Sequence, residues 1–168
     1  RLAKEGGIIC FVSNGSWIDG NAQDGFRKCL EDGFSSIYVF NLRGNQRTSG
    51  ELSRKEGGKV FVFLSRTPIA ITLLVKKPQH KGKATIRYHD IGDYLTREEK
   101  LSAVKRFGAV SSEDISWERI HPNEHGDWTK KRSDAFSSFF ALGSKKDRAQ
   151  KVCFLPIYSN GLKTKRDA

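Results

Sequence analysis

With 168 residues, 29% of them charged and 37% hydrophobic, the chain has the composition of a folded globular protein with one sizeable core, which excludes a disordered tract. No apolar run approaches the roughly 20 residues that span a bilayer, and the opening Arg-Leu-Ala-Lys-Glu-Gly-Gly lacks the architecture of a signal peptide, so the reading is cytoplasmic. Lysine and arginine number 30 against 19 acidic residues, a formal net charge of +11, which suits a polyanionic partner such as nucleic acid and equally a merely solubilising basic surface.

Residues 8–12 are all apolar and are bounded by Gly6-Gly7 and by Ser13-Asn14-Gly15. They predict a strand buried on both faces, as in a parallel sheet with helices on either side. Phe26, Cys29 and Leu30 then recur at helical spacing, with Arg27, Lys28, Glu31 and Asp32 on the other side and Gly33 as a stop, which predicts a helix over 22–32. Residues 37–42 are rich in β-formers and complete a strand-helix-strand unit, whose usual handedness places two parallel strands in one sheet. A further apolar strand over 69–75 is expected close by. Between them, Arg43 to Arg66 begins polar and glycine-rich, with five basic residues from Arg43 to Lys59, before 59–63 resume an apolar pattern. Long charged loops of this kind are often functional.

Residues 83–89 alternate and predict a half-exposed strand. Thr96-Arg-Glu-Glu99 matches a capping box, Leu101, Val104 and Phe107 give an apolar stripe and Gly108 a stop, so a helix is predicted over 97–107. Beyond it the periodicity weakens through Trp117, Pro122 and Trp128 to a short helix near 134–140 and a strand-like run over 152–159. The absence of methionine and the opening residues, which look like the tail of a helix, read as an excised piece of a longer chain.

The chemistry is defined partly by what is missing: no phosphate-binding glycine loop, Walker lysine, zinc-type helix or nucleophile elbow occurs. Cys10, Cys29 and Cys153 are scattered among apolar neighbours, which predicts buried thiols. His121 and His125 are separated by Pro122, so no metal is expected there. Tyr88-His89-Asp90 offers either an acid-base cluster or a strand-end cap, and adjacent strand residues facing opposite sides favour the cap. In an open α/β sheet ligands sit beyond the carboxyl ends of the strands, so Ser13, Asn14 and Trp17 with Asn41, Arg43 and Asn45 would line one rim, suited to an unstacked base and its phosphates. The alternative is that Trp17 closes the core edge and Ser13-Asn14 cap the following turn.

The stretch from Gly7 to Asn45, "GIICFVSNGSWIDGNAQDGFRKCLEDGFSSIYVFNLRGN", resembles the segment that follows the Asn-Pro-Pro-Tyr motif of adenine-amino DNA methyltransferases. "SRTPIAITLLVKK" resembles their last core strand, antiparallel to its predecessor. With "YHDIGDYLTREEKL", "HPNEHGDW" and "YSNGLKTKRDA", in which Gly161, Lys163 and Thr164 match a Gly-x-Lys-Thr motif, essentially the whole chain looks like the methyltransferase part of single-chain type ISP restriction-modification enzymes of bacteria. The resemblance implies the C-terminal half of a Rossmann-like α/β sheet, parallel strands plus an antiparallel last strand, over 1–110, and an irregular α+β extension toward the target-recognition region over 111–168. It implies an enzyme that flips adenine from double-stranded DNA and methylates it with S-adenosylmethionine, joined to a nuclease and a helicase-like ATPase. The glycine-rich cofactor motif and Asn-Pro-Pro-Tyr do not occur in this chain, so the resemblance places them upstream, assigns no catalytic residue here, and implies an inactive piece that holds no cofactor. It assigns Ser13, Asn14 and Trp17 to the base-pocket rim and Arg43, Asn45, Arg47 and Arg66, with Lys163, Thr164 and Arg166 near the recognition junction, to DNA contacts. The related enzymes stack an aromatic on the flipped base; here the last core strand offers Leu73 and Leu74, with Phe61 and Phe63 before it. A non-catalytic DNA-binding or coupling module of a helicase-type protein is the alternative.

Overall fold

The computed structural model describes residues 6–61, 66–133, 135 and 138–139. The chain divides into two compact units, 1–131 and 132–168. In the second unit the Ala135 amide donates to the Ser133 hydroxyl at 3.3 Å and the Ser138 hydroxyl donates to the Ala135 carbonyl at 2.7 Å. The strand expected over 152–159, Cys153, and the motif residues Gly161, Lys163, Thr164 and Arg166 lie outside the described residues.

The first unit is built on β1 (Gly7–Asn14), α1 (Asp24–Gly33), β2 (Ser36–Arg43), α2 (Gly50–Glu56), β3 (Ile69–Lys76), β4 (Thr85–Asp90), α3 (Arg97–Phe107) and β5 (Glu118–Ile120). The five strands form one mixed sheet in the order β1-β3-β2-β4-β5. β3 runs antiparallel to both β1 and β2, so β1 and β2 are parallel to each other with β3 inserted between them. β4 joins the far side of β2 in parallel, and β5 closes that edge antiparallel to β4. The pair of parallel strands predicted from the strand-helix-strand unit is present, and the next apolar strand does lie close by, between them.

The sheet carries a core on each face. Ile37, Val39, Ala70, Leu74, Ile86 and Ile120 form one with Leu30 of α1 and with Trp17 and Trp128; Phe40, Leu42, Val60 and Ile69 form the other, with Val104 and Phe107 of α3 packed against it. α3 starts on the predicted capping box: the Glu99 amide donates to the Thr96 hydroxyl and the Glu99 carboxylate accepts from the Thr96 amide. The Thr96 backbone amide, and then the Thr96 hydroxyl, which donates to the same carboxylate at 2.8 Å, hold the Glu99 carboxyl below the usual carboxylate range.

Three expectations are corrected. β1 is not buried on both faces: among the described residues it forms the edge of the sheet, with Ile8 67% and Val12 53% exposed and Phe11 packed against the core, because its apolar run has a partner strand on one side. Cys10 and Cys29 are exposed rather than buried, Cys10 on that edge strand and Cys29 on the outer side of α1. α1 is turned relative to its apolar stripe: Phe26 is 47% exposed, whereas Arg27 and Glu31, expected on the solvent side, are 1% exposed. They go inward because the fold supplies partners for both charges. The Arg27 guanidinium donates to the Trp17 and Gly20 carbonyls at 2.8 Å each, to the Gly126 carbonyl at 2.7 Å and to the Asp127 carboxylate at 3.4 Å. The Glu31 carboxylate accepts from the Trp128 indole at 2.9 Å and from Lys83 at 3.3 Å. The short helix α2, inside a stretch read as loop, was not anticipated.

Candidate nucleic-acid interface

The register brings the carboxyl ends of β1 and β2 to one place. Asn14 and Arg43 both pair with Ile69, the first residue of β3, one on each side of it. The carboxyl ends of β1 and β2 therefore share one end of the sheet, and the loops after both strands and the approach to β3 meet there.

On the β1 side, Asn14 is exposed and Ser13 half-buried. The Asn14 side chain accepts from the Ser16 amide at 2.8 Å and caps the short turn Gly15–Trp17, while the Gly15 amide donates to the Pro68 carbonyl at 2.8 Å. Small polar residues are used here because a turn this tight leaves amides that a side-chain oxygen must satisfy. Trp17 is drawn under the rim rather than onto it: its ring is 9% exposed and stands edge-on to Phe26 and Trp128, at 5.5 and 5.4 Å between centroids. Its indole nitrogen is buried with no hydrogen-bond partner.

On the β2 side, the end of the parallel pair β2–β4 holds a cluster of polar side chains. Asn41 donates to the Tyr88 hydroxyl at 2.9 Å and accepts from the Arg43 amide at 3.0 Å; the Tyr88 hydroxyl donates to Asp90 at 3.0 Å. Arg43 has a backbone φ of 55°, and its guanidinium is clamped by Asp90 at 2.6 Å and by Asp93. Burial pulls the Arg43 pKa down, but the hydrogen bonds and charges of Asp90 and then Asp93 outweigh it, and the net direction is up. Burial, joined by the Asp90 charge and against the Asn41 hydrogen bond, pushes the Tyr88 hydroxyl well above its ordinary value. Asp90 also accepts from the Gly92 amide at 2.9 Å, so it is a strand-end cap as well as an ion-pair partner. Tyr88 and Asp90 share the α1 face; His89 points to the other, against Phe40 and Phe107, with its Nδ1 against the Ser116 carbonyl. The strand-end reading of Tyr88-His89-Asp90 is the one the structure bears out.

The connection from β2 to β3 folds back on itself. The Asn45 amide donates to the Glu56 carboxylate and its side chain accepts from the Arg47 amide, and the Gln46 amide pairs with the Arg66 carbonyl at 2.9 Å. Arg66 in turn donates to the Gln46 carbonyl at 3.1 Å. Asn45, Arg47 and Arg66 are thus gathered at one place, with Arg47 and Arg66 exposed and Asn45 half-buried in the turn. Phe61, in the same connection, is 50% exposed.

Lys100 is the residue that sequence reading missed. It sits on α3 beside the exposed Leu101, yet it is 0% exposed, and its ammonium donates to the Glu56 carbonyl at 2.7 Å and the Gly58 carbonyl at 2.8 Å. It thereby satisfies the C-terminal end of α2, where a cation is favoured. Burial, against the attraction of Glu56, brings its pKa down to about 8. The spacing offers one signal: Lys100 stands four residues before Val104 and seven before Phe107, on the face of α3 that packs on the sheet, whereas Lys105 lies off that face.

Among the described residues no cluster of three or more His, Cys, Asp or Glu is arranged to hold a metal, and no helix is long and apolar enough to cross a membrane.

No family model and no curated protein matches the chain. Solved structures do. A nuclease-deletion mutant of the type ISP restriction-modification enzyme LlaGI, in complex with a DNA substrate mimic, is 47% identical with a TM-score of 0.73 over 83% of this chain. The ATP-dependent type ISP restriction-modification enzyme LlaBIII bound to DNA is 39% identical with a TM-score of 0.75 over 85% of the chain. A DrdV–DNA complex is 34% identical with a TM-score of 0.72 over 88%. The matched segments are 11%, 10% and 14% of those chains, so this chain spans about a tenth of the length of the structures it resembles.

Proposed function

We propose that the chain is the part of an adenine-specific DNA methyltransferase that follows the catalytic Asn-Pro-Pro-Tyr motif, within a type ISP restriction-modification enzyme of the bacterial cytoplasm. The observation that carries this reading is the insertion of β3 between the parallel strands β1 and β2, which sets the loops after both on one rim, in a chain whose similarity to DNA-bound type ISP enzymes extends over more than four fifths of its length. The open edge of β1 agrees with it, since an apolar strand with an unpaired side is what the interrupted half of a sheet presents.

In this reading Ser13 and Asn14 border the target base, and Trp17 supports their loop from the core. Phe61 is the exposed aromatic available at the approach to β3 for stacking on an extruded base. Arg47 and Arg66 meet DNA phosphates, contacts that position the duplex without reading its sequence. Arg43 orders the rim through Asp90 and Asp93 and has little charge left for a phosphate. Lys163, Thr164 and Arg166 contact DNA toward the recognition region. The glycine-rich cofactor motif is not in this chain, and none of its residues is assigned to S-adenosylmethionine, which supplies the methyl group. The nuclease, ATPase and target-recognition domains of the whole enzyme are its partners.

The test is methyl transfer by the longer polypeptide that carries both motifs ahead of this segment. Label from S-adenosylmethionine is expected on the adenine amine of DNA, with Phe61→Ala lowering transfer at least tenfold while leaving binding of the methyl donor intact. A folded polypeptide that translocates on DNA but neither binds the donor nor transfers methyl groups would overturn the reading in favour of a non-catalytic coupling module.

A further inference from the structure

The basic residues are not spread evenly, and the folded chain neutralises them unevenly. At the rim Arg43 is held by two carboxylates, Lys55 lies 3.8 Å from Asp93, and Lys100 is buried on backbone carbonyls. At the other end of the sheet the sequence from Lys76 to Thr85 contains Lys76, Lys77, Lys81 and Lys83 and no acidic residue at all. Lys83 pairs with Glu31 at 3.3 Å; Lys76, Lys77 and Lys81 are exposed, with no carboxylate within ion-pair distance among the described residues. A charged turn is most simply a solvated one, but this turn is also built. The His80 amide donates to the Lys77 carbonyl at 3.1 Å, the His80 ring meets the Lys83 carbonyl at 3.2 Å, and Gly82 takes a φ of 98°. Both flanks are fastened to the sheet: the Ser35 amide and hydroxyl both donate to the Val75 carbonyl at 2.8 Å, and the Ala84 amide donates to the Glu31 carbonyl at 2.8 Å.

We infer that the β3–β4 turn is a second nucleic-acid contact, in which Lys76, Lys77 and Lys81 grip a phosphate backbone at the end of the sheet opposite the rim. An ordered backbone lowers the cost of collecting three like charges at one partner. Lysine is a point charge on a flexible stem, which suits phosphates and does not read base edges, so the contact is independent of DNA sequence. The eight residues of β3 separate the turn from Ile69 at the rim by ~23 Å, so a duplex that touches both ends offers phosphates about seven nucleotides apart along a strand. The contact goes beyond methyl transfer: it predicts DNA held along the sheet, whatever happens to the target base.

The experiment is a titration of the 168-residue chain with fluorescent duplexes of two unrelated sequences, by anisotropy, between 50 and 200 mM salt. The variant Lys76→Gln/Lys77→Gln/Lys81→Gln is expected to lower the slope of log K against log salt by about 2.7 and to weaken binding on the order of a hundredfold at 0.1 M salt, equally for both sequences. Retention of the wild-type slope and affinity by the folded triple variant would overturn the proposal. If Arg47→Gln/Arg66→Gln alone weakens binding, the rim is the sole contact and the methyltransferase reading survives without this one; if the unaltered chain fails to bind at 50 mM salt, the turn is no clamp. Acylation of the wild-type chain gives an independent reading: DNA is expected to protect Lys76, Lys77 and Lys81 but not Lys105 on α3, and equal modification with and without DNA would again overturn it.

Discussion

Thr72 shows how one atom departs from the pattern around it. It stands at the centre of β3 between Phe11 and Val39, is 0% exposed, and its hydroxyl oxygen has no hydrogen-bond partner. Replacing it by the similarly shaped valine removes a desolvated polar group, so Thr72→Val is expected to stabilise the chain by about 1 kcal/mol, read as a higher urea midpoint at unchanged m-value. Lys100 yields a prediction in pH. Its pKa is depressed to about 8 from the ordinary lysine value of 10.5, so between those values the unfolded chain binds more protons than the folded one and stability rises with pH. Measured against Lys100→Met, the relative stability of the wild type is expected to climb as pH goes from about 8 to about 10.5 and to stay level below pH 8; a parallel course of the two proteins across that window would refute the assignment. The spacing of Lys100 from Val104 and Phe107 puts it on the inward face of α3, but neither its carbonyl acceptors nor the unpartnered hydroxyl of Thr72 was legible in the sequence. Threonine is an ordinary strand residue and lysine an ordinary helix residue, and their burial comes from elements far away in the chain. Arg27 is the same case: its inward turn depends on the Gly126 and Asp127 backbone and side-chain acceptors, which no local window contains.

For single elements, periodicity was a good guide to type and a poor guide to environment. β2, β3, β4 and α3 lie where their patterns put them, and the capping box set the start of α3 to the residue. β1 was recognised as a strand but assigned the wrong neighbours, because a continuous apolar run looks the same whether helices cover it or an unpaired edge exposes it. The distinction has a measurable consequence. Val12→Lys on the exposed face of β1 is expected to change stability by less than ~0.5 kcal/mol, whereas Val39→Lys in the covered strand β2 places an unpaired charge in the core and costs several kcal/mol. Similar losses at both positions would mean that β1 is covered in solution. α2 escaped notice because its seven residues carry no apolar stripe; it is held from outside, by Lys100 on its last carbonyls.

At the scale of the molecule, the rim was legible and its occupants only partly so. The strand-helix-strand unit predicted two parallel strands in one sheet, which is why Asn14 and Arg43 were expected together, but not that β3 would lie between them; that Arg43 would spend its charge on Asp90 and Asp93 depended on the parallel pairing of β4 with β2, which no motif announces. Net charge likewise gave the sign of the proposed partner without saying which end of the sheet would face it. The position of β3 bears finally on how the chain reaches this state. β1 precedes β2 in the sequence, yet among the described residues β1 pairs with β3 alone, Asn14 opposite Ile69 and Gly7 opposite Lys76. Within this segment neither strand finds its partner until β3 is in place, so joining β1 to β2 waits on the later strand and on closing long loops, contacts of the non-local kind that slow folding.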